Sequence, residues 1–160
     1  MAITYEPIAT TTVSSATTFV TISSIPATYT DLFLLGWNVS GGVNAIVQFN
    51  GDTGTNYSLT QLYGDGTTAA SLRGSNITYV YGGVIGTSAT IRCNIMNYSN
   101  TTTYKTVIAR GGGAGNYVDA TAGLWRSTAA INSIKLQQDA GGVNSWQPGT
   151  TFTLYGIKAA

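Results

Sequence analysis

The chain contains no histidine, and this absence removes several kinds of chemistry. Histidine is the usual general base, the usual partner of a catalytic serine or cysteine, and the commonest metal ligand. A zinc site would need a cluster of cysteine or histidine side chains, and the chain has one cysteine. We therefore predict a protein that is not an enzyme and that has no catalytic residue, no metal and no cofactor.

The single cysteine, Cys93, excludes an internal disulfide. It lies in the segment TIRCNIM, where apolar residues alternate with polar ones. This alternation predicts a strand with Cys93 on its buried face. We interpret Cys93 as a small core residue rather than a reactive thiol.

Carboxylates are also few, with six in the chain. A glycosidase needs two that face each other, and Asp52 and Asp65 both lie in turn sequences, where Asp usually bonds its own backbone. The segment NGDTGTN (50–56) resembles a calcium loop only weakly, because Gln61 stands where such a loop would need its last Glu. We favour an Asx turn here, with calcium as the alternative.

Charged residues make up only 8% of the chain, and the seven Lys and Arg residues form no run. Nucleic-acid binding needs clustered cations, so neither nucleic acid nor an anionic membrane is expected as a partner. The N-terminus lacks the pattern of a signal peptide, and no apolar run is long enough to span a membrane. A surface of hydroxyls and amides is typical of proteins packed against other subunits and of secreted β-proteins.

Short runs rich in β-branched and aromatic residues, separated by Gly and Asn, predict an all-β chain. We expect a single antiparallel β-sandwich, jelly-roll-like, with about nine or ten strands over residues 17–160. Residues 1–16 differ in character and are predicted to be an extended N-terminal arm or an edge strand. The predicted strands are 17–23, 31–39, 44–49, 57–64, 76–82, 88–98, 103–110, 117–127, 131–138 and 151–157.

Turn signals predict how some of these strands connect. The pair GG at 41–42 predicts a hairpin between 31–39 and 44–49, and the turn segment 97–103 predicts another between 88–98 and 103–110. Residues 65–75 are interpreted as a surface loop, with one helical turn as the alternative. The glycine-rich segment 111–116 is interpreted as a flexible loop rather than a phosphate-binding one.

The closing segment TFTLYGI (151–157) has two faces. Phe152 and Leu154 are predicted to point into the core. Tyr155 and Ile157 are then predicted to meet a second layer or a partner subunit, because a monomer would leave them partly wet.

The chain has ten Tyr and three Trp residues. Trp37 lies in an apolar run and is predicted to be in the core. Most other rings are expected in core or subunit packing. The alternative is that rings near loops contact glycan, and the candidates are Tyr57, Tyr63, Tyr79, Tyr81 and Trp125.

Several segments together resemble a family of small virion proteins of tailed bacteriophages. They occur in one order and cover most of the chain: ITYEPIATTTVSS, SIPATYTDLFLL, FNGDTGTNYSLTQLYGDG, NYSNTTTYKTV, GLWRSTAAINSIKL and TFTLYGIKAA. The resemblance implies a structural role in the virion and supplies no catalytic or binding residues.

Within that family, a one-domain chain that begins with Met suits a capsid decoration (cement) protein, made in the host cytoplasm and placed on the capsid exterior. The expected partners are the major capsid protein and other copies of the chain, in a homotrimer. The N-terminal arm is predicted to face the capsid by adding a strand to a neighbouring sheet. The predicted interface residues are Ile3, Tyr5, Ile8, Tyr155 and Ile157. The alternative is a fibre or receptor-binding module that contacts host glycan.

Overall fold

The structure, a computed structural model, describes residues 4–40, 44–84, 86, 88–114, 117–139 and 142–158. Within these ranges the chain forms strands and no helix. The strands, in chain order, are β1 (Tyr5–Thr12), β2 (Phe19–Ile22), β3 (Asp31–Val39), β4 (Asn44–Phe49), β5 (Tyr57–Gly64), β6 (Ala69–Ile77), β7 (Val80–Val84), β8 (Ala89–Met96), β9 (Lys105–Gly112), β10 (Val118–Trp125), β11 (Ile134–Gln137) and β12 (Thr151–Ile157).

The strands form two antiparallel sheets that pack face to face. One has eight strands in the order β1-β12-β3-β8-β9-β10-β5-β6, and the other has four in the order β2-β11-β4-β7. Strand β7 of the smaller sheet packs across β8, β9 and β10 of the larger one. The predicted all-β antiparallel sandwich is confirmed, with two or three more strands than the sequence predicted.

Alternation along the strands places the core between the two sheets. In β8 every second side chain is buried, from Ala89 to Ile95, and Cys93 is among them as predicted. Phe152 and Leu154 of β12 are fully buried, also as predicted. The four-stranded sheet supplies the facing layer, including Val20, Val47, Phe49, Ile134 and Leu136.

Three predicted local features are wrong. Strands β3 and β4 do not form a hairpin, because β3 pairs with β12 and β8 whereas β4 pairs with β11 and β7 in the other sheet; residues 41–43, where the turn was predicted, lie outside the described residues. Residues 69–77 are strand β6 rather than a loop or helical turn, because they pair with β5. The predicted strand 76–82 is interrupted between β6 and β7. The hairpin between β8 and β9 is confirmed.

The N-terminal segment supplies an edge strand of the eight-stranded sheet. Strand β1 pairs with β12 of its own chain from Tyr5 to Thr12. Thr10 and Thr12 also join their hydroxyls to those of Thr153 and Thr151, at 2.9 and 3.0 Å. Pro7, which cannot donate a ladder hydrogen bond, suits this edge position. Much of the segment predicted to be an arm is therefore committed to its own sheet.

The described residues include no helix with the length and hydropathy that a membrane crossing requires.

A clamp at the end of β12 holds β1 in place. The Tyr29 ring lies directly over Gly156, and its hydroxyl donates to Glu6 Oε2 at 3.1 Å. Glu6 also forms an ion pair with Lys158 at 2.7 Å. A β-carbon on Gly156 would overlap the Tyr29 ring. Glycine at this position is therefore required by the close approach of a rigid ring.

Gly156→Ala is expected to lower the free energy of unfolding by about 2–3 kcal/mol, because the ring must move to admit one methyl group. Urea unfolding measures the change. The matched control is Gly64→Ala in strand β5, where an added β-carbon would meet only the Thr68 carbonyl oxygen at 3.6 Å. That variant is expected to change stability by less than about 1 kcal/mol. Equal effects at the two glycines would contradict the clamp.

Candidate contact surface

The outer surface of the eight-stranded sheet faces away from the four-stranded sheet, and no described segment covers it. We call this surface the open face. Because side chains alternate along a strand, its residues follow from the register. Its central members are Phe33, Leu35 and Trp37 of β3, Leu62 of β5, Arg92 of β8, Ile108 and Arg110 of β9, and Val118 and Ala120 of β10.

Large apolar side chains are concentrated on the open face. Nine such side chains are exposed among the described residues, and five of them lie here. These five are Tyr5, Trp37, Leu62, Ile108 and Val118, with exposures from 37% to 62%. Exposed apolar residues that share one face of a sheet mark a candidate interaction surface.

Strand β3 carries apolar residues on both of its faces. Leu32 and Leu34 point inward and are fully buried, whereas Phe33, Leu35 and Trp37 point to the open face. The prediction that Trp37 lies in the core is wrong, since it is 40% exposed. The apolar run indicated a strand buried on both faces, and in this chain only one face is covered.

An aromatic cluster occupies the β1 end of the open face. The rings of Tyr5, Phe33 and Tyr155 lie with centroids 5.9 to 6.5 Å apart, and both contacts of Tyr5 are edge-to-face. Ile157 is partly buried and stands opposite Tyr5 in the register. The sequence prediction that Tyr155 and Ile157 share a face distinct from the core matches this placement.

The other predicted interface residues are placed differently. Ile8 is partly buried and packs against the core. Ile3 lies outside the described residues. Of the predicted set, Tyr5, Tyr155 and Ile157 are brought together on the open face.

The rings predicted for glycan contact do not form one surface. Tyr57 and Trp125 are opposite each other in the β5–β10 ladder and stack at 6.2 Å inside the core, where they are 0% and 2% exposed. They are therefore unavailable to a sugar. Tyr79 and Tyr81 pair at 5.4 Å near the outer side of β7, and Tyr63 is partly buried at the far end of β5.

The turn around Asp52 is an Asx turn joined to the core. Asp52 accepts hydrogen bonds from the Gly54 backbone at 2.8 Å, the Asn56 amide at 3.0 Å and the Trp125 indole at 2.7 Å. Burial raises the pKa of Asp52, but these three donors outweigh it and leave the pKa below its ordinary value. Donors surround the carboxylate where a calcium site would need oxygen ligands. Among the described residues no cluster of potential metal ligands occurs.

Cys93 is fully buried, and its Sγ donates to the Gly82 carbonyl at 3.2 Å. Burial, helped by the charge of Asp119, raises the pKa of the thiol from 9.0 to about 12. A thiol held in the protonated form is a poor nucleophile. The placement agrees with a structural role.

We expect the free energy of unfolding to fall as pH rises above 9. The unfolded thiol ionises near pH 9.0, whereas the folded thiol stays protonated up to about pH 12, so the unfolded state binds fewer protons in this window. The slope approaches about 1.4 kcal/mol per pH unit for one proton. Urea unfolding at pH 9.0 and pH 9.5 measures it, because both values lie below the ordinary tyrosine pKa of 10.0. Cys93→Ala should flatten the slope, and an unchanged slope would contradict the assignment.

Comparisons with known proteins identify no family. No family model matches the chain, and no curated protein matches it. One solved structure with partial similarity is an alginate lyase in complex with an alginate tetrasaccharide, at 10% identity, 94% coverage of this chain and 80% of that one, with a TM-score of 0.33. A TM-score this low supports no inference about fold or activity.

Proposed function

We propose that the protein is a non-enzymatic structural component of a tailed-phage virion, a decoration protein that binds the exterior of the head and bridges major capsid subunits. The resemblance of its sequence segments to small virion proteins supplies the context. The open face supplies the contact surface. By analogy with such proteins we expect a homotrimer. Three copies of 16.7 kDa give a mass of about 50 kDa.

The observation that carries the proposal is the apolar outer side of a central strand. Phe33, Leu35 and Trp37 stand in line on β3, which has hydrogen-bonded neighbours on both sides. In a sheet with one face in water, these positions are ordinarily polar. Apolar residues there stay partly exposed in the isolated chain, and a partner that covers them would complete their burial.

A low charge favours the same role. Burying ions at an interface requires their removal from water, and this cost can exceed the attraction gained. Most side chains of the open face are apolar, hydroxyl-bearing or small, so most of the face can be covered without that cost. Many copies on a capsid lattice make modest contacts cumulative, which resists the separation of subunits under the pressure of packaged DNA.

The alternative is a receptor-binding module that holds host glycan. It retains Tyr63, Tyr79 and Tyr81 as candidate contacts after the loss of the two core rings. These rings lie away from the open face, so the alternative leaves the apolar side of β3 unexplained.

Copy number in the virion tests the proposal. Quantitative mass spectrometry of purified virions, with labelled peptides of this chain and of the major capsid protein, gives the ratio of the two. A decoration protein is expected at hundreds of copies per particle, and immunogold labelling should decorate the head. A handful of copies located on the tail would instead support the receptor-binding alternative.

A further inference from the structure

Two arginines stand opposite each other at the centre of the open face. Arg92 of β8 and Arg110 of β9 are direct partners in the antiparallel ladder, and both are exposed. Like charges in this position destabilise a sheet. The chain has only four arginines, and two of them form this pair. The pair therefore destabilises the sheet in a chain that has few charges, and a bound partner would give a physical reason for it.

The structure holds no counter-ion for the pair in its described part. Neither guanidinium forms a hydrogen bond or ion pair with a described residue; the ion pair that is present joins Lys158 to Glu6 elsewhere. The neighbours across the sheet are Leu35 on β3 and Ala120 on β10. The carboxylate on this face belongs to Asp31. Asp31 lies four residues along β3 from Leu35, the cross-strand partner of Arg92, and this separation is about 13 Å along the strand.

There is room beside the pair for a ligand. Small residues and a hydroxyl adjoin the guanidinium groups, and they line an open depression of about 310 Å³ formed by Thr90, Arg92, Arg110, Gly111 and Gly112. Arginine presents a planar fork of N–H donors that matches a carboxylate, with two parallel hydrogen bonds. Two such forks side by side can hold one carboxylate between them or one each.

We propose that Arg92 and Arg110 bind Asp or Glu side chains of a protein partner that covers the open face. Exposed Ile108 lies two residues from Arg110 on the same face, and exposed Leu62 lies beyond Ala120 in the same row. An acidic protein surface with apolar surroundings fits this mixture, whereas an acidic polysaccharide would leave the apolar side chains unmatched. The identification of the partner as the capsid protein rests on the proposed function. The binding of carboxylates by the arginine pair is independent of that function.

Titration of ¹⁵N-labelled protein with poly-L-glutamate tests the ligand chemistry directly. The Nε–Hε resonances of Arg92 and Arg110 are expected to shift together. Each single change, Arg92→Gln or Arg110→Gln, should weaken binding about tenfold, and the double change about a hundredfold. Replacement of both by lysine keeps the charge but loses the fork, so it should recover only part of the affinity.

Arg73→Gln is the matched control, because Arg73 lies on the same face on edge strand β6, opposite Thr60. It should bind poly-L-glutamate as the wild type does. An equal loss in this variant, or no shift at Arg92 and Arg110, would overturn the proposal. Tighter binding of polygalacturonate than of poly-L-glutamate would also overturn it, in favour of an acidic polysaccharide.

The same variants separate this inference from the proposed function. If the wild type binds poly-L-glutamate through the pair but does not bind phage heads, the capsid role fails and the carboxylate site stands. If the wild type binds heads and the double Gln variant binds them equally well, the pair has no part in that contact. The expected result is at least about a thirtyfold loss of head binding in the double variant.

Discussion

Leu62→Glu is expected to reduce binding to phage heads at least about thirtyfold, because it replaces an apolar contact with a carboxylate that must lose its water when the open face is covered. Leu62 is 61% exposed on the open face, between Ala120 and Ser71 in the sheet. Its replacement should change the free energy of unfolding by less than about 0.5 kcal/mol, as surface changes usually do. Co-sedimentation with heads that lack the protein measures the binding.

Phe19→Glu is the matched control for this experiment. Phe19 is 51% exposed, but it lies on β2 at an edge of the four-stranded sheet, where it contacts Lys135 at 5.1 Å from the ring centroid. This variant should bind heads normally, since it removes an exposed ring from the opposite side of the sandwich. If both variants bind as the wild type does, the open face is not the contact surface. If only Phe19→Glu fails, the contact surface lies on the smaller sheet.

The strands that the sequence predicts well are those in which every second side chain must be apolar because it packs in the core. Strand β8 alternates cleanly because every second residue packs against the other sheet, and the boundaries of β12 agree with the predicted 151–157. The sequence does not predict strand β6, because an edge strand with little burial does not need alternating apolar residues. Its residues, AASLRGSNI, are mostly small and polar, and β5 recruits them by backbone pairing.

Turn signals gave the wrong partner for β4. A glycine pair predicts that the chain reverses, but it does not say whether the next strand stays in the same sheet. In a sandwich, the chain can cross to the opposite sheet at such a point. Here β4 pairs with β11, which is distant in sequence. Strand β11 supplies Ile134 and Leu136 as apolar partners.

The candidate surface was only partly visible for a related reason. Alternation shows that residues share a face, but not which face is covered. The alternative prediction makes Tyr57 and Trp125 accessible to glycan, and they lie in the core, whereas Trp37 is predicted in the core and lies on the open face. The Arg92–Arg110 pair depends on the register between two strands, which fixes cross-strand neighbours that neither strand alone reveals.

Lys105→Met is expected to lower the free energy of unfolding by about 3 kcal/mol. Lys105 is fully buried, and its Nζ donates to the carbonyl oxygens of Asn100, Thr103 and Thr128 at 2.6, 2.7 and 3.3 Å. Burial lowers its pKa. Methionine keeps the length of the side chain but leaves these carbonyl oxygens unpaired. Hydrogen bonds to a charged group contribute about 1.5–3 kcal/mol each. Part of this loss is offset because the variant no longer buries a charged ammonium group.

Lys135→Met separates the loss of these hydrogen bonds from the loss of a positive charge. Lys135 is partly exposed on β11 and makes a cation–π contact with Phe19, so its replacement should cost less than about 1 kcal/mol. Urea unfolding at neutral pH compares the two variants. Hydrogen exchange should also quicken in the segments that Lys105 ties together, residues 100–103 and 128, before global unfolding. Equal stability losses at the two lysines would mean that net charge, and not the three carbonyl contacts, sets the effect.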